Sequence, residues 1–183
     1  MMEPGAPAPR TVRVQAEDAA SGFHCGAPSL DEFFARYACS NDQRGIGRTY
    51  VLKCPPEAAA TLPRVLGYYT LSMTAISAPL LAAAAVEKLP KYPMPAALIG
   101  RLAADQRSRT SGLRVGETLL FDAFARVMAA AENVGCFGVV VDAKNETAEG
   151  FYRKYDFITV EESRWPRKMF ISIGTVREMF AGA

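Results

Sequence analysis

The stretch CFGVVVDAKNETAEGFYRKYDF, residues 136–157, decides the fold of this chain. Its first half is almost continuously apolar, as a strand covered on both faces is. A short helix starting near Glu146 follows, opening on Asn145 and leading into the aromatic cluster Phe151, Tyr152, Tyr155 and Phe157. Asn145 and Tyr152 stand about two helical turns apart at roughly 3.6 residues per turn, so they share a face.

Working outward, ALIGRLAAD (97–105) reads as a strand and RSRTSGLRVG (107–116) as a polar loop with two glycines. GETLLFDAFARVMAAAENVG (116–135) reads as a long helix, with Leu119, Leu120, Ala123, Phe124, Val127 and Ala131 on one face and Gly135 at its C-terminus. Strands near FITVE and KMFISI complete a βαβαββ tail. Nearer the N-terminus, TVRVQ (11–15) alternates like a strand. PSLDEFFARYA reads as a helix capped by Ser29, with Glu32 completing a capping box and Leu30, Phe33, Phe34 and Tyr37 on its apolar face. TYVLKC and VLGYYTLSMTAIS pair as strands around the turn segment PPEAAATLP. Tyr68 and Tyr69 alternate on the second of these, so at most one faces a pocket. Residues 79–95 form an insertion with an alanine-rich helix ended by Pro90, Pro93 and Pro95.

At 183 residues and 50% apolar, the chain is long enough for one well-filled domain, here residues 11–183, preceded by a disordered Pro/Gly/Ala-rich terminus, residues 1–10. The 21 basic and 19 acidic side chains leave a formal charge of +2, which by itself names no polyanionic partner. The apolar run 80–86 is far short of the roughly 20 residues of a membrane span, and no export signal is visible, so a soluble, cytoplasmic protein is expected. Four cysteines without a C-x-x-C pair and a single histidine, His24, argue against a disulfide framework and against a multi-histidine metal site.

Chemistry enters with SGLRVGETLL, residues 111–120. A glycine-bearing loop that turns into a helix offers backbone N–H groups and the positive end of the helix dipole, which suits a diphosphate. It is neither a P-loop, lacking G-K-[ST], nor a G-x-G-x-x-G dinucleotide turn.

Together with Asn145, Ala148, Tyr152 and Phe157, which fall on N-x-x-A-x-x-x-Y-x-x-x-G-F with Asp156 in place of the glycine, this loop resembles the GNAT acetyltransferase superfamily. Its Q/R-x-x-G-x-G/A loop aligns with Ser111, Arg114 and Gly116, of which Gly116 matches fully. Arg114 in a glycine's place is strained if that position needs positive φ, and otherwise adds a phosphate contact. The resemblance implies an α+β (α/β-type) GNAT fold, with a mixed, mostly antiparallel central sheet splayed between its fourth and fifth strands and helices on both faces. It implies acetyl-CoA as cofactor, held by Leu102, Ala103 and Ala104 on the fourth strand, by Ser111, Gly112, Leu113, Arg114, Val115, Gly116 and Glu117 in the loop, and by Asn145, Ala148, Phe151 and Tyr152. A backbone N–H near Leu102 or Ala103 would polarise the thioester carbonyl, and Tyr152 would protonate the departing thiolate. The competing reading makes Phe151, Tyr152, Tyr155 and Phe157 plain core aromatics. No general base stands out among Glu117, Asp142 and Glu146.

The segments FHCGAPSLDEFF, RTYVL, GYYTLS, LP with PMP before LIGRLAAD, and VVVDAKNETAEGFYRKYDF extend the resemblance to the GNAT toxins of bacterial toxin–antitoxin pairs. That branch implies acetylation of the α-amino group of aminoacyl-tRNA, a ribbon-helix-helix antitoxin and a homodimer. Arg36, Arg44, Arg48, Arg107 and Arg109, with Arg114, supply cations for RNA phosphates. Two alternatives are a GNAT enzyme for a small amine or peptide and a catalytically weak CoA-binding module.

Overall fold

The computed structural model describes residues 11–81 and 89–181. The N-terminal stretch expected to be disordered, and most of the alanine-rich insertion, lie outside the described residues. Seven strands form one sheet: β1 (Thr11–Arg13), β2 (Arg48–Lys53), β3 (Val65–Ile76), β4 (Met94–Ala104), β5 (Gly138–Ala143), β6 (Ile158–Glu161) and β7 (Arg167–Ser172). Their order is β1-β2-β3-β4-β5-β7-β6. β1 with β2, β5 with β7 and β6 with β7 run antiparallel, and β4 with β5 runs parallel. The helices are α1 (Pro28–Arg36), α2 (Ala38–Gln43), α3 (Ala78–Leu81), α4 (Val115–Ala131), α5 (Glu146–Arg153) and α6 (Ile173–Ala181).

Two compact units make up the chain, one running to Thr70 and including Arg101–Asp122, the other comprising Leu71–Gly100 and the residues from Ala123 onward. In the first, α1 lays Phe33 and Phe34 onto β3, where Tyr68 meets Phe34 at 4.7 Å and Phe23 at 5.3 Å between ring centroids. Tyr68 and Tyr69 are both fully buried. Each spends its hydroxyl inside this unit, Tyr68 on the Leu30 carbonyl at 2.8 Å and Tyr69 on the Asp122 carboxylate. Neither is therefore open to a pocket; residues 65–70 of the strand are covered on both faces. In the second unit Ile76, Leu81, Met94, Ala96, Val140 and Phe170 form the core.

Several local expectations change. Helix α1 is capped by Ala27 and not Ser29, because Pro28 occupies the first helical position, where its fixed φ and missing N–H fit. The carboxylate that reaches back is Asp31, accepting the Cys25 N–H at 2.7 Å, and not Glu32. Tyr37 is 48% exposed, since α1 ends at Arg36 and the chain restarts as α2 before the apolar face reaches it. Helix α4 stops at Ala131, ahead of Gly135, while Leu119, Leu120, Ala123, Phe124 and Val127 are buried as its periodicity requires. The tail does not end on a strand: Ser172 accepts the Thr175 N–H at 3.0 Å and starts α6.

Candidate active site

The parallel ladder between β4 and β5 has three residue pairs, Ala97 with Val139, Leu98 with Val140 and Ile99 with Val141. Strand β4 runs on to Ala104 and β5 to Ala143, beyond the residues of this ladder. Asp142 and Ala143 pair antiparallel with Lys168 and Arg167 of β7. A strand that runs beyond its ladder can offer main-chain donors and acceptors to an extended, amide-bearing group. Leu102, Ala103 and Ala104 lie on the part of β4 beyond the last pair.

Helix α5 belongs to the second unit. Asn145 is extended at φ −158° and accepts the Ala148 N–H on its side-chain oxygen at 3.0 Å, so it caps the helix that its residue type was expected to open. Its amide nitrogen remains outside that bond. Ala148 is half-buried, Asn145 exposed and Tyr152 buried. The Tyr152 ring lies 5.2 Å from Phe151 and 5.3 Å from Phe157, whose ring stacks on Phe124 at 5.9 Å. Tyr152 is thus both a core aromatic and a phenol with no hydrogen-bond partner among the described residues. Burial, assisted by the charge of Asp142, raises its pKa well above the usual tyrosine range. The hydroxyl therefore stays protonated at any physiological pH and is available as a donor.

The glycine-bearing loop belongs to the first unit. Gly112 has φ +77°, and a Cβ built there would meet nothing within 4 Å, so backbone conformation and not space demands glycine. Arg114 does not share that conformation; among the described residues Asp156, at φ +61°, is the one non-glycine with positive φ. The strained reading of Arg114 is thereby removed, and its guanidinium pairs with Glu117 one turn on. Ser111 binds the Ser108 carbonyl at 2.5 Å and accepts the Leu113 N–H at 3.3 Å, closing the turn. Val115 then opens α4, donating to the Leu113 carbonyl at 2.8 Å, with Gly116 and Glu117 in the first turn, where N–H groups lack helical partners. Ser111, Gly112, Leu113 and Arg114 are exposed. An exposed, preformed turn that leads into a helix N-terminus fits a diphosphate.

The five arginines nominated for RNA divide by commitment. Arg107 grips Asp105 through its backbone N–H, Nε and Nη2, each at 2.9 Å, and Arg109 donates to the Cys25 carbonyl at 2.8 Å. Arg48 donates to the Asp42 carbonyl at 2.7 Å, and Arg36 pairs with Glu32 at 3.4 Å. Arg44 is exposed, with no side-chain partner among the described residues. Asp105 is fully buried; burial works to raise its pKa, but the Arg107 guanidinium and the His24 and Arg107 N–H groups outweigh it and hold the carboxyl below the usual range. His24 binds Asp31 at 2.8 Å, while burial and then Asp31 push the Cys25 thiol up to about 11, which leaves that pair structural. Sequence reasoning missed Asp105 and Glu149, two acids the fold buries; the LAAD ending of a buried strand was the available signal for the first. Among the described residues no cluster of His, Cys, Asp or Glu is arranged for a metal, and no helix is long and apolar enough to cross a membrane.

A mixed seven-stranded sheet with a short parallel seam, followed by an asparagine-capped helix bearing a neutral buried tyrosine, defines a GNAT-type acetyltransferase. The sequence matches no protein-family model. It is 33% identical over 153 residues to a tRNA-acetylating toxin of Mycobacterium tuberculosis (strain ATCC 25618 / H37Rv), covering 84% of this chain and 85% of that one. The chain belongs to the family of tRNA-acetylating GNAT toxins. Among solved structures it resembles AtaT complexed with acetyl-methionyl-tRNAfMet, with a TM-score of 0.75 and 28% identity, covering 93% of this chain and 98% of that one. It also resembles a mutant of the AtaT toxin bound to the C-terminus of the antitoxin AtaR and acetyl-CoA, with a TM-score of 0.73 and 26% identity, covering 93% and 96%.

Proposed function

We propose that this protein is an acetyl-CoA-dependent N-acetyltransferase, a toxin that acetylates the α-amino group of aminoacyl-tRNA and so blocks translation. The observation that carries this reading is the three-pair seam beside the helix that bears Tyr152. Acetyl-CoA, when bound, supplies an acyl group already activated as a thioester. The turn through Ser111, Gly112, Leu113, Arg114 and Val115 and the first N–H groups of α4, at Gly116 and Glu117, hold its diphosphate. Backbone groups of Leu102, Ala103 and Ala104 take the amide-bearing arm, and an N–H at Leu102 or Ala103 polarises the carbonyl. Asn145 contacts the arm with its amide nitrogen, and Ala148 and Phe151 shape its path. Tyr152 gives its proton to the departing thiolate.

No side chain is needed to deprotonate the nucleophile. An α-amino group has a pKa of about 7.7–8.0 against about 10.4 for lysine, so a useful fraction is neutral near pH 7. The three acids weighed for that role are otherwise engaged or solvent-facing: Glu117 pairs with Arg114, Asp142 with Lys168 at 2.9 Å, and Glu146 is exposed. Arg36, Arg44, Arg48, Arg107 and Arg109 contact RNA phosphates, Arg44 contributing most because nothing in the described chain neutralises it. Residues 11–183 act as one domain in the cytoplasm, as a homodimer restrained by a ribbon-helix-helix antitoxin.

Mass spectrometry of aminoacyl-tRNA incubated with the protein and acetyl-CoA tests this directly: an acetyl group should appear on the aminoacyl moiety. Tyr152→Phe should lower the rate by about a hundredfold or more while acetyl-CoA affinity measured by calorimetry changes by less than about threefold. It should also relieve the growth arrest expected on expression in bacteria. Acetylated small amines with unmodified tRNA would transfer the assignment to a small-amine enzyme, and tight acetyl-CoA binding with no thiol released on any amine would leave a binding module.

A further inference from the structure

Helix α5 buries a carboxylate that the proposed reaction does not use. Glu149 is 5% exposed, three residues before Tyr152 on the same short helix. Its Oε1 accepts from Arg153 Nη2 and from the Thr159 hydroxyl, each at 2.7 Å, and its Oε2 accepts from Arg167 Nη1 at 2.7 Å. Thr159 belongs to β6 and Arg167 to β7, so one side chain ties the helix to two strands. Arg167 lies 4.3 Å over the Trp165 ring, and its Nε has no hydrogen-bond partner. The register places Arg167 opposite Ala143 and Lys168 opposite Asp142, the last two residues of β5, which follow its ladder with β4.

We infer that Glu149 is a positioning residue for Tyr152: it clasps α5 to the β6–β7 hairpin and so fixes the tyrosine against the open end of β5. This rests on the role given to Tyr152 above. A strand end can rock, and a helix of eight residues has little packing of its own to resist that movement. Charge-assisted bonds to two strands supply the restraint that a continuous sheet would otherwise give. Truncating the carboxylate leaves Arg167 partly buried without its counter-charge, which releases the helix as well as the side chain. Misplacement by about 1 Å of a reacting group costs on the order of a hundredfold in rate, so the loss falls on turnover. The proposed diphosphate-binding turn leads into α4, outside this network, so the larger part of the grip on acetyl-CoA is kept even though the contacts from α5 loosen.

Glu149→Ala and Glu149→Gln in the full chain test the clasp by two readouts. Steady-state acetylation of aminoacyl-tRNA should show kcat lowered about ten- to hundredfold in Glu149→Ala, KM for acetyl-CoA within about threefold, and partial recovery in Glu149→Gln, which keeps acceptor and donor atoms. The second readout is the pH titration of Tyr152 by NMR of labelled tyrosine, assigned with Tyr152→Phe. The phenol should fall toward the ordinary range near 10 once the helix loosens, more in Glu149→Ala than in Glu149→Gln. An unchanged kcat with an unchanged Tyr152 titration, whatever happens to Tm, overturns the proposal and leaves Glu149 a stabilising residue. If Glu149→Ala does not fold, the same comparison between Glu149→Gln and wild type decides. A wild-type protein inactive on tRNA whose Tyr152 titration still moves in Glu149→Gln removes the proposed function and keeps the clasp.

Discussion

Asp156 stands where the family pattern has glycine, and its φ of +61° shows why the pattern asks for one. A side chain there is tolerated because Asp suffers less than most residues in the left-handed region, but it is not free of strain. Asp156→Gly should raise stability by about 0.5 kcal/mol, visible as a Tm increase of roughly 1–2 °C for a chain of this size, with acetylation unchanged. Asp156→Val should do the opposite and by more. This strain was legible in outline, since the missing glycine marked the position; the companion worry over Arg114 was misplaced, because positive φ falls two residues earlier, on Gly112. A one-dimensional motif gives the number of residues in a turn but not which of them carries the unusual dihedral. Tyr68 and Tyr69 show the same gap: alternation says they face opposite sides, and only the packing shows that both sides are closed.

At the scale of elements, β3 comes within contact of the start of α4 at a single glycine. A Cβ on Gly67 would lie 2.8 Å from the Ala103 carbonyl oxygen, from Leu119 Cδ1 and from Val115 Cγ1. The carbonyl belongs to a strand and cannot move aside cheaply. Gly67→Ala should therefore cost about 1–3 kcal/mol in denaturant unfolding and weaken acetyl-CoA binding in calorimetry, since Val115 opens the helix whose N-terminus is proposed to hold the diphosphate. Helix α4 and strand β5 were readable because each has one strong signal, a 3.6-residue apolar period and an unbroken apolar run. Helix α6 was not: IleSerIle at 171–173 continues the β-branched pattern of β7, only Val176 of the helix is buried, and the one clear marker was Ser172 three residues ahead of Thr175. Nor could periodicity reveal that β7 inserts between β5 and β6, a choice made by pairing partners and not by either strand alone.

For the molecule as a whole, four carboxylates, Asp31, Asp42, Asp105 and Glu149, have pKa values below their ordinary range. In the three aspartates burial alone would raise the pKa, and N–H groups and cationic neighbours reverse it; in Glu149 the Thr159 hydroxyl, Arg153 and Arg167 bring it to about 2. A folded-state pKa lower than the unfolded one contributes stability that is complete above the unfolded value and fades as pH falls through the folded one. Stability measured by denaturant should hold from pH 7 to about pH 5 and then decline steeply below about pH 4, and Asp105→Asn should be less stable at neutrality but show a shallower decline. The formal charge of +2 gave no hint of this, because a count of charges is silent on pairing: most of the arginines nominated for RNA already hold the fold together. The three-rung seam has a consequence of its own. If main-chain atoms do the gripping, as proposed, side chains are released from the task, so substitutions at Leu102 or Ala104 that keep the strand extended should leave acetyl-CoA affinity nearly untouched, and deuterium uptake across residues 100–104 should slow on addition of the ligand. Such a groove can drift in composition over evolutionary time and still recognise the same guest.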